Sequence, residues 1–135
     1  MKPYLHALIS SKRFGGKPED YLEIHDFMDS SKAHLADARH RMFLHNSFGI
    51  YLAERVCGEI VDNQRMPYIT ISDGRKVQVR DVAEQHVLDD LGYIPSLSDC
   101  VKDLPIPGEI AAISPKRRIK IGDKVVTMEQ LINGN

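Results

Sequence analysis

The sequence predicts an α+β fold: an N-terminal antiparallel helical hairpin with a long central helix, packed with two β-hairpins that are each followed by a short helix. Three observations predict it. Apolar residues recur at helical spacing between Pro18 and Ile60, alternation sets in at Tyr68-Ile69-Thr70-Ile71 and again at Lys76-Val77-Gln78-Val79, and Ile119 to Val126 repeats that alternation around Gly122-Asp123. With 135 residues, 42% apolar and 27% charged, the chain fits one domain with a real core. It reads as a helical hairpin over residues 1–61, a β-hairpin with helices over 62–104, and a C-terminal hairpin with a short helix over 105–135.

In chain order, Tyr4 to Ile9 is an apolar stretch that suits either a short strand or a helical turn, and Gly15-Gly16 ends it in a loop. Ser10-Ser11-Lys12-Arg13 offers N–H groups and cations to an anion, lacks the glycine order of a phosphate loop, and serves equally as a solvated connector. Pro18 suits a first helical position, Glu19 and Asp20 favour the positive end of the helix dipole, and Tyr21, Ile24, His25 and Met28 follow at buried spacing. Asp29-Ser30-Ser31 stops that helix and caps the next. Ser31 to Ile60 then reads as one long helix. Its polar strip carries His34, Asp37, Arg41 and His45, and its apolar face carries Leu35, Ala38, Met42, Ala53, Val56 and Ile60. Gly49 costs about 1 kcal/mol against Ala inside a helix, and so predicts a close neighbour, a kink or a break at Asn46-Ser47.

Asp73-Gly74 reads as a two-residue hairpin turn. Asp81 and Glu84 read as the capping box of a helix whose inner face is Val82, Ala83, His86, Val87 and Leu91, closed by Gly92. Ser96 and Asp99 open a short helix stopped at Pro105-Ile106-Pro107-Gly108, and Thr127 with Gln130 caps a last helical turn after the second hairpin.

The 18 basic and 19 acidic side chains give a net charge of −1, which argues against a domain devoted to gripping phosphate backbone. Cys57 and Cys100 are too few and too far apart for a zinc ribbon or a disulfide framework, and they fit the cytoplasm, the expected location. The N-terminal apolar run is too short for a signal peptide or a membrane span.

A short turn before Ser31 brings His25 level with His34 across the helical hairpin, with Asp37 three residues further along the same face. Imidazoles and a carboxylate so placed predict a site for a divalent transition metal (Zn, Mn, Fe or Ni) held by His25, His34 and Asp37, with His6 or His86 available as a fourth ligand. An open coordination position suits hydrolysis, Arg41 is placed for a phosphoryl or carboxylate group, and His45 for acid–base work. In one continuous helix His45 lies about 16 Å from His34, at roughly 1.5 Å per residue, so the two cannot share an ion. The expected function is metal binding, as a metal-dependent hydrolase of a phosphoryl or other anionic substrate.

Other readings stay open. Asp37, Arg39, His40 and Arg41 could form a hydrogen-bonded network that only locks the helices together. A non-enzymatic interaction protein is the alternative function. Lys116-Arg117-Arg118-Ile119-Lys120, with Lys12-Arg13, could form a basic patch for nucleic acid, although the run has no aromatic for base stacking and suits a solvated strand edge. Hairpin edges and the apolar helix face could receive a host protein or a second copy in a homo-oligomer.

The strings Phe14-Gly15-Gly16-Lys17-Pro18-Glu19-Asp20-Tyr21, Ile24-His25, Ser31-Lys32, Asp37, Arg39-His40-Arg41 and His45, followed by Ser72-Asp73-Gly74-Arg75, Glu84-Gln85-His86-Val87 and Asp90-Leu91-Gly92, together resemble an uncharacterised family of small bacterial and bacteriophage proteins, a domain of unknown function. The resemblance covers residues 4–104 and implies no particular activity. His25-Asp26 also resembles the histidine-aspartate dyad of metal-dependent phosphohydrolases, though the rest of that spacing does not follow. The tail after Pro105 resembles no family pattern.

Overall fold

Pro3 follows an extended Lys2 and opens α1 (Pro3–Phe14), which Lys12 and Arg13 close with charges suited to a helix C-terminus. The computed structural model describes residues 1–103 and 118–134 of the chain. Within them, helices and two-stranded antiparallel hairpins form an α+β fold, as the sequence predicts. The Tyr4 to Ile9 stretch, open between strand and helix by sequence, is helical, and α1 buries His6, Ala7 and Ser10 along one face.

A 3₁₀ turn (Pro18–Asp20) leads into α2 (Leu22–Met28). Tyr21, Ile24, His25 and Met28 are all buried, as their spacing predicts. The Asp20 carboxylate accepts hydrogen bonds from the Lys17 and Ser72 amides and from the Ser72 hydroxyl, at 2.8, 3.1 and 2.9 Å, which ties this turn to the first long hairpin.

The segment expected as one helix from Ser31 to Ile60 is divided. It begins with 3₁₀ turns at Ser30–Ala33 and Ala38–His40, continues as a single helical turn α3 (Arg41–Leu44), and ends as α4 (Ser47–Cys57). Local polar side chains make the breaks. Extended backbone at Asp37 lets its carboxylate accept from the Arg39 amide, and extended backbone at Asn46 lets its side chain cap the Gly49 amide at 2.9 Å while donating to the Met42 and Phe43 carbonyls. The break also explains Gly49, because a Cβ there would collide with the Leu44 backbone. Of the predicted apolar face, Ala53 is buried, whereas Val56 and Ile60 are exposed.

Among the described residues are three short hairpins, the first two placed between α4 and the next helix. β1 (Ile60–Val61) pairs with β2 (Gln64–Arg65) around Asp62-Asn63, both at positive φ, a tight turn not anticipated from sequence. β3 (Tyr68–Thr70) pairs with β4 (Lys76–Gln78) in the register Ile69 to Val77. Its turn is wider than the expected two residues: Ile71 and Arg75 still bond across it, leaving Ser72, Asp73 and Gly74 as the loop. α5 (Val79–Leu91) starts directly from β4, two residues ahead of Asp81, so the expected Asp81/Glu84 capping box gives way to an Arg80–Glu84 ion pair. Gly92 closes the helix in the left-handed conformation. α6 (Leu97–Val101) has its expected Ser96/Asp99 capping box.

By its internal contacts the chain divides into the units Met1–Lys102 and Asp103–Asn135. The first unit's apolar core gathers Ala7, Ile24, Met28, Ile50, Ala53, Cys57, Val77, Val79, Val82, Ala83 and Val87 from α1, α2, α4, β4 and α5. In the second, β5 (Arg118–Ile121) pairs with β6 (Lys124–Thr127), and the Thr127/Gln130 box opens α7 (Met128–Asn133). The expected stop at Pro105–Gly108, and Lys116 and Arg117 of the basic run, lie outside the described residues. Among the described residues no helix is long and apolar enough to cross a membrane.

Candidate metal centre

Five of the six histidines, His6, His25, His40, His45 and His86, are buried, together with Ser10 and Asp29. Burial of so many polar rings is costly unless each finds a partner. Their convergence follows from helical spacing. His25 and Asp29 lie four residues apart at the end of α2, His86 and Asp90 lie four residues apart on α5, and α1 lays His6 and Ser10 beside them. The turn that ends α3 carries His45 to the same point.

Four groups meet there: Asp29, His45, His86 and Asp90. The His86 Nε2 atom lies 3.1 Å from His45 Nε2, 3.3 Å from Asp29 Oδ1 and 3.4 Å from Asp90 Oδ2. His45 Nε2 lies 2.8 Å from Asp90 Oδ2 and 3.6 Å from Asp29 Oδ1. Donor atoms that share an ion at about 2.0–2.2 Å sit about 2.8–3.6 Å from one another in tetrahedral or octahedral arrangements. All five separations fall in that range. A hydrogen-bond explanation fits less well, since one imidazole N–H cannot serve three neighbours at once, and one of those neighbours is another ring nitrogen.

The surrounding groups are those of a supported ligand set. Asp90 turns Oδ2 to the two histidines and Oδ1 outward, 3.2 Å from His6 Nε2 and 3.8 Å from the Arg41 guanidinium. Lys32 reaches to 3.8 Å of Asp29 Oδ2. His40 Nδ1 donates to the Asp37 carbonyl at 2.8 Å, and its Nε2 lies 3.5 Å from Asp29 Oδ1.

Contacts with the histidines keep both carboxylates ionised. Burial would raise the Asp29 carboxyl, but the His86 hydrogen bond and the nearby positive groups overcome it and hold the group at about 2. Burial likewise opposes ionisation of Asp90, and the His45 hydrogen bond with the nearby His6 ring outweighs it, so its carboxylate stays well below the usual range. Burial lowers His86 and takes His25, beside His86 and His6, down to about 3.

The sequence-predicted set is separated by this arrangement. His25 is buried but faces Ser10 and His86 instead of His34 or Asp37. His34 is exposed and lines a surface groove of about 420 Å³ with Ser30, Ser31, Phe43 and Leu44. Asp37 is exposed and grips the Arg39 guanidinium at 2.7 Å, and neither His34 nor Asp37 joins a candidate metal group among the described residues. The broken helix is the reason, since the 3₁₀ turns after α2 lift residues 31–39 onto the surface. His45, expected as a remote acid or base, lies in the tetrad, and Arg41 stands behind Asp90. His86, expected as an auxiliary ligand, is central, and Asp26 is exposed. Asp29 and Asp90 were not expected. The repeated His-x-x-x-Asp pattern, His25/Asp29 and His86/Asp90, is the signal that marks them.

His6, His25 and His86 form a second group of potential ligands. Their rings are stacked, with His6 and His86 centroids 3.9 Å apart and 25° between planes. Ring lone pairs lie in the ring planes, so stacked imidazoles do not aim at one shared ion. The tetrad is the better metal site. No curated protein and no solved structure matches this chain. One family model does match, over residues 1–109, and the chain belongs to that family, a domain of unknown function (DUF6915).

Proposed function

We propose that this protein binds one divalent transition metal (Zn, Mn, Fe or Ni) through Asp29, His45, His86 and Asp90, and acts as a metal-dependent hydrolase on a phosphoryl or other anionic substrate. The observation that carries the proposal is the meeting of His45 Nε2 and His86 Nε2 at 3.1 Å between two carboxylates. An ion held there supplies Lewis acidity and an activated water. Around it, Lys32 and Arg41 reach from half-exposed positions to the outer oxygens of Asp29 and Asp90, so an arriving anion meets two cations. The surface groove lined by Ser30, Ser31 and His34 begins one residue along the chain from Asp29.

Elemental analysis of untagged protein tests the metal: about one ion per chain is expected. Protein that purifies metal-free, and whose melting temperature does not rise with Zn, Mn, Fe or Ni, would refute it. Hydrolysis is tested on a chromogenic phosphoester panel, with activity expected to disappear on chelation and return with the metal.

A specific observation favours a second reading. The four ligand side chains are at most 5% exposed, which suits an ion that cross-links α2, α3 and α5 in a protein that acts by binding a partner or a second copy of itself. Metal present without turnover on any ester would select this reading.

A further inference from the structure

We infer that His25 and Ser10 form a positioning relay that holds the ligand atom of His86 on the metal. This rests on the tetrad being a metal site and adds two residues that do not touch the ion. His86 presents Nε2 to Asp29, His45 and Asp90, and on the far side of the ring its Nδ1 lies 2.8 Å from His25 Nδ1. His25 Nε2 lies 2.8 Å from Ser10 Oγ. His25 and His86 are completely buried, as is Ser10, and the contacts are buried hydrogen bonds between side chains from three separate helices.

Proton bookkeeping gives the relay its function. The 2.8 Å contact between the two Nδ1 atoms holds one proton, carried by one ring or the other. In one arrangement His86 Nδ1–H donates to His25 Nδ1, and His25 Nε2–H donates to the Ser10 hydroxyl. In the other, Ser10 donates to His25, His25 Nδ1–H donates to His86, and the His86 proton sits on Nε2. Only the first leaves the Nε2 lone pair free for an ion. Partners behind a ligating histidine fix its tautomer and ring orientation in this way, and removing one costs about 10–100-fold in metal affinity. His25 thus supports the ligand His86 instead of binding the metal itself.

The test is Co²⁺ titration of the full chain, followed by d–d absorption and by competition with a chelating dye. His25→Leu removes the acceptor behind His86 and is expected to weaken Co²⁺ binding by about 10–100-fold. His25→Asn keeps an acceptor within reach, because its amide can turn its oxygen to His86 Nδ1–H, and affinity is expected within about threefold of the parent. Ser10→Ala is expected to fall between the two. A His25→Leu variant that binds as tightly as the parent would overturn the relay, as would His25→Asn losing as much as His25→Leu. Should His25→Leu lack a cooperative melt, the other variants decide: parental affinity in Ser10→Ala together with a large loss in His25→Asn also overturns it. A parent chain that takes up no metal at all removes the metal reading, and the relay falls with it.

Discussion

The first unit buries two layers of nearly equal depth and opposite chemistry. One is apolar, with Ile24, Met28, Val79, Val82 and Val87 all within 1% of full burial; the other is polar, with His6, Ser10, His25, His45 and His86 all at 0%. The two layers share helices, since α2 carries both Met28 and Asp29, and α5 carries both Val87 and Asp90. Each apolar side chain gains about 1.5–3 kcal/mol simply by leaving water. Polar groups gain nothing that way and depend on the partners they meet. The apolar layer therefore sets stability under any condition, whereas the polar layer is as good as its occupant.

Substitutions separate the layers most sharply at neighbouring positions. His86→Ala is expected to abolish metal binding, seen as loss of the ion in elemental analysis, because it deletes the donor that faces all three others. Met28→Ala, one residue from a ligand, is expected to cost about 2–5 kcal/mol in urea unfolding while leaving one ion per chain. Loss of metal from Met28→Ala protein at temperatures where it remains folded would show that the layers are one unit. Chelation of the parent comes next: ion at 100 times its dissociation constant adds about 2.7 kcal/mol, which removal should erase from the melting curve.

Asn46→Ala removes the cap that turns α3 into α4 and is expected to cost about 1 kcal/mol, with a smaller effect on metal affinity through His45. His34→Ala should change stability by less than about 0.5 kcal/mol and metal content not at all. Cys57 gives the finest test. Burial pushes its thiol up to about 12, so at pH 8 it stays protonated and resists alkylation in the folded protein, while the half-buried Cys100 reacts. Continued protection of Cys57 after chelation is expected if the apolar layer stands alone.

The sequence made the apolar layer easy to find and the polar layer hard. Tyr21, Ile24, Met28, Val82, Ala83 and Val87 announce themselves by period, and both longer hairpins by alternation around a glycine-containing turn. His25 and His86 fall on the same buried stripes and were legible as inward-facing. What failed was the assumption of continuity after Ser31. Helical counting through that stretch set His34 opposite His25, whereas the caps at Asp37 and Asn46 divide the chain and move His34 to the surface. Asp29 was concealed by a plausible local role, since an acid after a helix reads as a cap. Its partner Asp90 stands beside Asp89, and nothing local singles out one of the two. Spatial pairing of two His-x-x-x-Asp turns is a tertiary fact that no local window contains.

The breaks around α3 also set the lengths of chain that the tetrad would tie together. His45 and His86 are 41 residues apart, Asp29 and His86 57, and His45 and Asp90 45. An ion shared among them closes loops that the unfolded chain closes only rarely, and loop-closure entropy grows with length, though slowly. Such an ion acts as a cross-link that forms only once α2, the turn after α3 and α5 are already side by side. Contacts made that late contribute little to the folding barrier and much to the unfolding barrier. The metal would then govern how long the assembled helices stay together more than how fast they assemble.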